Sequence, residues 1–212
     1  VLGASGYSGA ELVRLLSLHS FVDIVFLTAD RYANTALRDL YPNLSSIVLP
    51  DMISIDELLS KTPQVDFVFC GLPHGHTHDI VQQFLSNPAG PKIIDLSADF
   101  RFEDTEVYRK VYGLSHKAGS LQKEAVYGLT ELARERIRDA RLVACPGCYP
   151  TTSLLPLVPL IERRLIDPGE IIIDAKSGVT GAGRELKQSS LYGEVAEGIH
   201  AYGVAAHRHG PE

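Results

Sequence analysis

The chain has 212 residues, 45% apolar and 22% charged, which suits one or two globular domains. A formal net charge of −6 argues against a general nucleic-acid-binding surface, and no apolar run approaches the roughly 18 residues that a membrane-spanning helix needs. Three cysteines are too few for a disulfide framework and fit a reducing compartment, here the cytoplasm.

The chain opens on Val1-Leu2 and goes straight into Gly3-Ala4-Ser5-Gly6-Tyr7-Ser8-Gly9. Leu12, Val13, Leu15, Leu16 and Leu18 then mark one apolar helical face, followed by an apolar strand over Val22 to Thr28. A glycine turn that opens a helix between two strands is the first β-α-β of a dinucleotide-binding fold, where a pyrophosphate rests on the helix N-terminus. The spacing is G-x-x-G-x-x-G rather than G-x-G-x-x-G, so a tight turn without ligand is the competing reading. The second strand ends in Asp30-Arg31. An acid here can hold a ribose 2′-OH and an Arg a 2′-phosphate, so the spacing leaves NAD and NADP both open, and Asp30 reads equally well as a solvated charge.

Residues 32–50 read mostly as loop, and Ser54-x-x-Glu57 is a capping-box signature for a short helix through Ser60. Val65 to Cys70 is a buried strand, with Cys70 a core residue. It ends in Gly71-Leu72-Pro73-His74-Gly75-His76, a turn expected to face the cofactor because ligands bind beyond the carboxyl ends of strands. No carboxylate or cysteine near His74, His76 and His78 completes a plausible metal set, and alternating histidines in a loop are weak evidence for one, so no metal is expected. A helix over Thr77 to Leu85 and a strand over Lys92 to Ser97 follow, then a polar surface excursion over 102–125. Thr130 is the expected N-cap of a helix over Glu131 to Ala140, and Arg141 to Cys145 is the next strand. Alternating strands and helices imply an α/β fold with a doubly wound, Rossmann-like parallel sheet.

Cys145-Pro146-Gly147-Cys148-Tyr149-Pro150-Thr151 joins that strand to an apolar helix, Leu154 to Ile161. Cys148 therefore sits at a helix N-terminus, where the dipole favours negative charge and a thiol should ionise more easily. The competing readings are a small buried hydrophobe and a thioredoxin-like Cys-x-x-Cys pair. Beyond the helix, Asp167-Pro168-Gly169 is a turn and Glu170 to Ala175 a strand. The glycine-rich run Ser177 to Arg184 is expected to be a loop near the site, and Tyr202 to Ala206 leads to His207-Arg208-His209.

Together the glycine turn, Leu72-Pro73-His74-Gly75, Asp95-Leu96-Ser97-Ala98-Asp99-Phe100-Arg101, Val126-Tyr127-Gly128-Leu129-Thr130-Glu131, Pro146-Gly147-Cys148-Tyr149-Pro150-Thr151, Ser177 to Arg184 and His207-Arg208-His209 closely resemble the N-acetyl-gamma-glutamyl-phosphate reductases of the semialdehyde dehydrogenase superfamily. The resemblance runs the whole length, and its most specific motif is the one around Cys148. The family has a second α/β domain after the cysteine and a final returning helix, so the chain is expected to be truncated at both ends. It would comprise a dinucleotide-binding domain over 1–148 and part of a catalytic and dimerisation domain over 149–212.

The resemblance implies an NADP-dependent enzyme of arginine biosynthesis that reduces N-acetyl-gamma-glutamyl phosphate to the 5-semialdehyde, releasing inorganic phosphate through a cysteine thioester. It implies Cys148 as nucleophile and His207, the first histidine of its motif, as the acid–base group, against the plainer reading of a surface histidine. Gly3, Ser5, Gly6, Tyr7, Ser8, Arg31, Pro73, His74, Ser177 and Gly178 would hold NADP. Arg101, Arg184, Arg208 and His209 would hold substrate phosphate or carboxylate, since a guanidinium binds such groups bidentately. A homo-oligomer, dimer or tetramer, is expected, with no nucleic-acid or membrane partner. The alternatives are the lysine-pathway reductase with a longer acyl chain, aspartate-semialdehyde dehydrogenase, and a Cys-x-x-Cys thiol–disulfide oxidoreductase.

Overall fold

Val1–Ser97 and Ala98–Glu212 form two compact units in the structure, a computed structural model describing residues 1–212.

The first unit is built around its opening residues. Thr28 N–H donates to the Val1 carbonyl at 3.0 Å and Ala4 N–H to the Thr28 carbonyl at 2.8 Å. On the other side Leu2 N–H donates to Phe69 O at 2.8 Å, and Gly71 N–H to Leu2 O at 2.9 Å. Residues 1–4 are thus flanked by chain on both sides, which is why Leu2 and Ala4 are buried. The turn leads into α1, Tyr7–Leu16, which buries Gly9, Ala10 and Val13 and leaves Leu15 outside. The expected strand Val22–Thr28 is paired only over β1, Leu27–Thr28, the two residues of that stretch that are fully buried, while Val25 faces solvent. β1 pairs in parallel with β2, Met52–Ile53. The stretch between them is less loop-like than expected: it carries α2, Leu37–Leu40, and sends Leu37 and Leu44 into a core with Ala4, Val13, Leu27, Ala29 and Met52.

The capping box forms as read, with Ser54 Oγ accepting from Glu57 N–H at 3.1 Å at the start of α3, Ile55–Ser60. β3, Phe67–Cys70, and β4, Lys92–Asp95, pair in parallel across α4, His78–Leu85, whose buried face is Val81, Phe84 and Leu85. Cys70 is a core residue, as expected. The buried Asp95 carboxylate is satisfied by Ser97, through its N–H at 2.9 Å and its hydroxyl at 2.7 Å.

In the second unit the expected surface excursion is instead partly core. α5, Thr105–Tyr112, is capped by Asp104, and α6 spans Gly119–Gln122. Tyr108 is 1% exposed and stacks on Tyr112 at 5.2 Å, and its hydroxyl donates to buried Asp99 at 2.8 Å. The high polar count hid an i,i+4 aromatic pair on one helical face. β5, Val126–Tyr127, and β6, Leu142–Ala144, pair in parallel across α7, Thr130–Asp139. The N-cap of α7 is Leu129, and Thr130 is its first helical residue. α8, Cys148–Glu162, follows and contains Pro156 and Pro159. The expected strand Glu170–Ala175 is absent: Pro168–Glu170 is a 3₁₀ turn and Ile172 is 93% exposed. An extended segment becomes a strand only when a neighbour supplies its ladder hydrogen bonds, and here none does. A short helix, α9, Tyr192–Val195, precedes the last loop. The pairs β1–β2, β3–β4 and β5–β6 all run parallel, as the alternation of elements implied. No helix is long and apolar enough to cross a membrane.

Candidate active site

β6 delivers the chain to Cys145-Pro146-Gly147, and Cys148 opens α8 with extended Gly147 as its N-cap, φ −66° and ψ 159°. All three cysteines are reduced thiols: Cys148 is exposed, Cys145 half-buried and Cys70 buried. The asymmetry follows from position, since Cys145 directly follows a strand whose three residues are buried, whereas Cys148 lies on the first turn of a helix.

The turn is held by a buried ion pair. Arg101 Nε donates to the Cys145 carbonyl at 2.7 Å, and Arg101 Nη1 lies 3.2 Å from Glu212 Oε2. Glu212 Oε1 accepts from Gly147 N–H at 2.6 Å and from the Tyr127 hydroxyl at 3.0 Å. The side chains of Arg101 and Glu212 are 5% and 1% exposed. Burial, and then the Glu212 carboxylate, push the Tyr127 phenol up, so it remains a donor. The His209 ring covers the other side of the turn, since a Cβ on Gly147 would lie 2.6 Å from His209 Nε2. Burial lowers His209 to about 4, with the Glu212 charge opposing that shift in part.

His207 packs edge-on against Tyr149 at 5.2 Å, Tyr202 at 5.2 Å and His209 at 5.0 Å. The Tyr202 hydroxyl donates to that of Tyr149 at 2.8 Å. Desolvation, then the bond to Tyr149, push Tyr202 up to about 12. A cavity of about 730 Å³ is lined by Tyr149, Tyr202, His207, His209 and Glu212 among others. A second of about 430 Å³ is lined by Cys148. Tyr149 and Ser177 border both, as does the Asp174–Lys176 ion pair. Cys148 and His207 thus open onto two cavities that share a wall. Arg184 and Arg208 are exposed, and Gly178 has no heavy atom within 4 Å of where a Cβ would stand.

The first unit brings together the remaining residues of interest. Gly3 has φ +74°, and a Cβ there would stand 2.4 Å from the Gly71 carbonyl, so the glycine turn lies against the start of the Leu72-Pro73-His74 turn. A Cβ on Gly9 would stand 2.3 Å from the Gly3 carbonyl, which packs α1 onto the turn. At Gly6 the nearest atom would be the Gly3 carbonyl at 3.5 Å, leaving open space beyond it. Ser5 O accepts from the Tyr41 hydroxyl at 2.9 Å, while Tyr7 and Ser8 are exposed on the first turn of α1. Arg31 is exposed, and Asp30 Oδ1 accepts from Ile55 N–H at 3.0 Å. Ser177 and Gly178 belong to the second unit.

Sequence reasoning missed Glu212, Tyr127, Tyr149 and Tyr202 as site residues. The adjacency of Tyr149 to Cys148 was an available signal. Glu212 and Tyr127 carry none, because their contacts to the turn and to each other span 65 and 85 residues.

The family model described as semialdehyde dehydrogenase, NAD binding domain, matches residues 1–140, and the one described as semialdehyde dehydrogenase, dimerisation domain, matches residues 148–212. The N-acetyl-gamma-glutamyl-phosphate reductase of Rhodospirillum rubrum is 56% identical over 214 aligned positions, covering 100% of this chain and 60% of its own length. The probable chloroplastic N-acetyl-gamma-glutamyl-phosphate reductase of Arabidopsis thaliana is 54% identical, covering 100% of this chain and 52% of its own. That of Desulforudis audaxviator is 47% identical, again over 100% of this chain and 60% of its own. The chain therefore spans between half and two thirds of the length of these relatives.

Proposed function

The chain belongs to the semialdehyde dehydrogenase family, and from that premise we propose that the protein reduces an acyl phosphate, N-acetyl-gamma-glutamyl phosphate, to its semialdehyde with NADPH. The observation that carries this reading is an exposed thiol on the first residue of α8, beside a cavity whose wall also borders His207. In this reading Cys148 is the nucleophile. Its sulfur bonds to the acyl carbon, and the carbon–oxygen bond to phosphate breaks, expelling inorganic phosphate and leaving a thioester. The helix N-terminus favours the negative charge that the attacking sulfur brings. NADPH, when bound, supplies the hydride that reduces the thioester carbonyl. His207 donates a proton to the resulting alkoxide and recovers it as the carbon–sulfur bond breaks, releasing aldehyde and thiolate.

The glycine turn fits a dinucleotide. Gly3 and Gly9 are fixed by close backbone contacts, and Gly6 leaves the open space over the helix N-terminus that a pyrophosphate needs. Gly3, Ser5, Gly6, Tyr7 and Ser8 would cradle it, with Pro73 and His74 on the adjoining turn. Asp30 is engaged by α3 and Arg31 is exposed, which favours a 2′-phosphate and hence NADP. Arg184 and Arg208 are the exposed guanidiniums for substrate phosphate or carboxylate, with His209 next to Arg208 in its motif. We place the functional division between residues 148 and 149; the matched family models leave residues 141–147 between them, and the compact units divide after Ser97. The dimerisation-domain match and the exposed Ile172, Leu186 and Val204 support a homo-oligomer. Unbridged cysteines suit a reducing cytoplasm.

The test runs the reaction backwards in the full-length protein. NADP reduction with N-acetylglutamate semialdehyde is expected to require inorganic phosphate and to exceed that with the homologue one methylene longer. Turnover without phosphate would exclude the acyl-phosphate mechanism. A preference for the longer semialdehyde would move the enzyme to the lysine-pathway substrate, a difference worth about 1–3 kcal/mol of binding.

A further inference from the structure

We infer that Arg101 and Glu212 are positioning residues that clamp the Cys145-Pro146-Gly147 turn and thereby fix where Cys148 stands, an inference that rests on Cys148 being the nucleophile. The two side chains close a circuit. Arg101 grips the carbonyl at one end of the turn, Glu212 grips the N–H at the other, and the two meet at 3.2 Å. Arg101 lies 44 residues from Cys145 and Glu212 lies 65 from Gly147, so the turn is tied to distant parts of the unit.

Stability alone does not call for such a device. Removing two charges from water costs much of what their attraction returns, and apolar pairs often serve as well. A charged clamp fixes direction as well as proximity, because each hydrogen bond has a preferred line. The turn needs that constraint, since Gly147 has no side chain of its own to limit it. The engagement of Arg101 with Cys145 and Glu212 gives it this role in place of gripping substrate phosphate. Tyr127 completes the cradle from β5 by holding the carboxylate that holds Gly147.

The experiment compares the full-length wild type with Glu212→Gln, Arg101→Met and Arg101→Lys. Glu212→Gln keeps the shape and an acceptor for Gly147 N–H but loses the ion pair. Displacing a reacting group by an ångström can cost about 10²-fold, so kcat per folded molecule is expected to fall by up to that factor with KM unchanged. Arg101→Lys, which keeps the charge, should recover part of what Arg101→Met loses. Amide hydrogen exchange, which needs no substrate, should quicken in the 145–149 peptide and not across the chain. Losses that merely follow the unfolded fraction, or exchange that quickens everywhere, would overturn the proposal. An inactive wild type would count against the acyl-phosphate reading, while local exchange would still decide the clamp.

Discussion

Two of the glycine-bearing turns that open helices, one before α1 and one before α8, differ in what requires the glycine. Both helices start from an extended glycine N-cap, Gly6 at φ −76° and Gly147 at φ −66°, with no side-chain cap. In the first turn the demand is made by backbone: Gly3 has φ +74°, and a Cβ there would stand 2.4 Å from the Gly71 carbonyl. In the second, φ is ordinary and the demand comes from a side chain, the His209 ring. The first leaves open space beyond Gly6. In the second a carboxylate occupies the Gly147 N–H and a guanidinium the Cys145 carbonyl. A helix N-terminus is a generic electrostatic device, and long-range contacts decide whether it serves an anion or a thiol.

The largest effect should come from the second turn. In the full-length protein Cys148→Ser is expected to abolish turnover, because a serine hydroxyl is a far poorer nucleophile without its own base. Cys145→Ser should keep most of it. Equal losses in two folded variants would return the turn to the thiol–disulfide reading, in which one sulfur attacks and the other resolves. His207→Asn should lower kcat by ~10²–10⁴-fold with NADP affinity intact, the range for losing a general acid–base group.

Glycine substitutions divide the two turns more sharply. Gly3→Ala places a methyl against backbone that cannot yield and forces an unfavourable φ, so it should cost about 1–3 kcal/mol or more in thermal unfolding. Gly147→Ala meets first the His209 ring, a side chain rather than backbone, at an ordinary φ, so its main effect should be on turnover. Gly6→Ala should barely change the melting midpoint and should weaken NADP binding measured by calorimetry. If Gly6→Ala bound NADP as tightly as wild type, the open space above that turn would not be where the dinucleotide rests.

What the sequence made legible was mostly local. The capping box at Ser54, the burial of Cys70 and the placing of Cys148 on the first turn of α8 all depend on residues a few positions apart. Errors arose where neighbours decide. Glu170 to Ala175 has strand composition without a strand beside it, and Phe21 and Val25 are apolar yet uncovered. In residues 102–125 charges masked Tyr108 and Tyr112, whose stacking depends on helical spacing within a polar run. Thr130 misplaced a helix start by one residue, within the ordinary uncertainty of helix ends. Glu212 had no local signature at all, though it holds the turn that presents Cys148.

The smallest effect separates the turns by pH. The Gly3 turn is covered by Gly71 backbone and Leu72, which do not titrate, whereas the Gly147 turn is covered by His209. Burial lowers His209 from 6.5 to about 4; Arg101, Arg208 and His207 act in the same direction, and Glu212 opposes them. Between those values the unfolded chain takes up a proton that the folded ring refuses, so stability declines as pH falls from 6.5 towards 4. Above 6.5 both states are neutral and this contribution is constant. Other carboxylates also titrate on the acid side, so the informative quantity is the difference between wild type and His209→Asn. The melting midpoint of the variant should fall less steeply across that window. Parallel curves would show that the ring titrates alike in the folded and unfolded chain, and that burial over Gly147 does not exclude its proton.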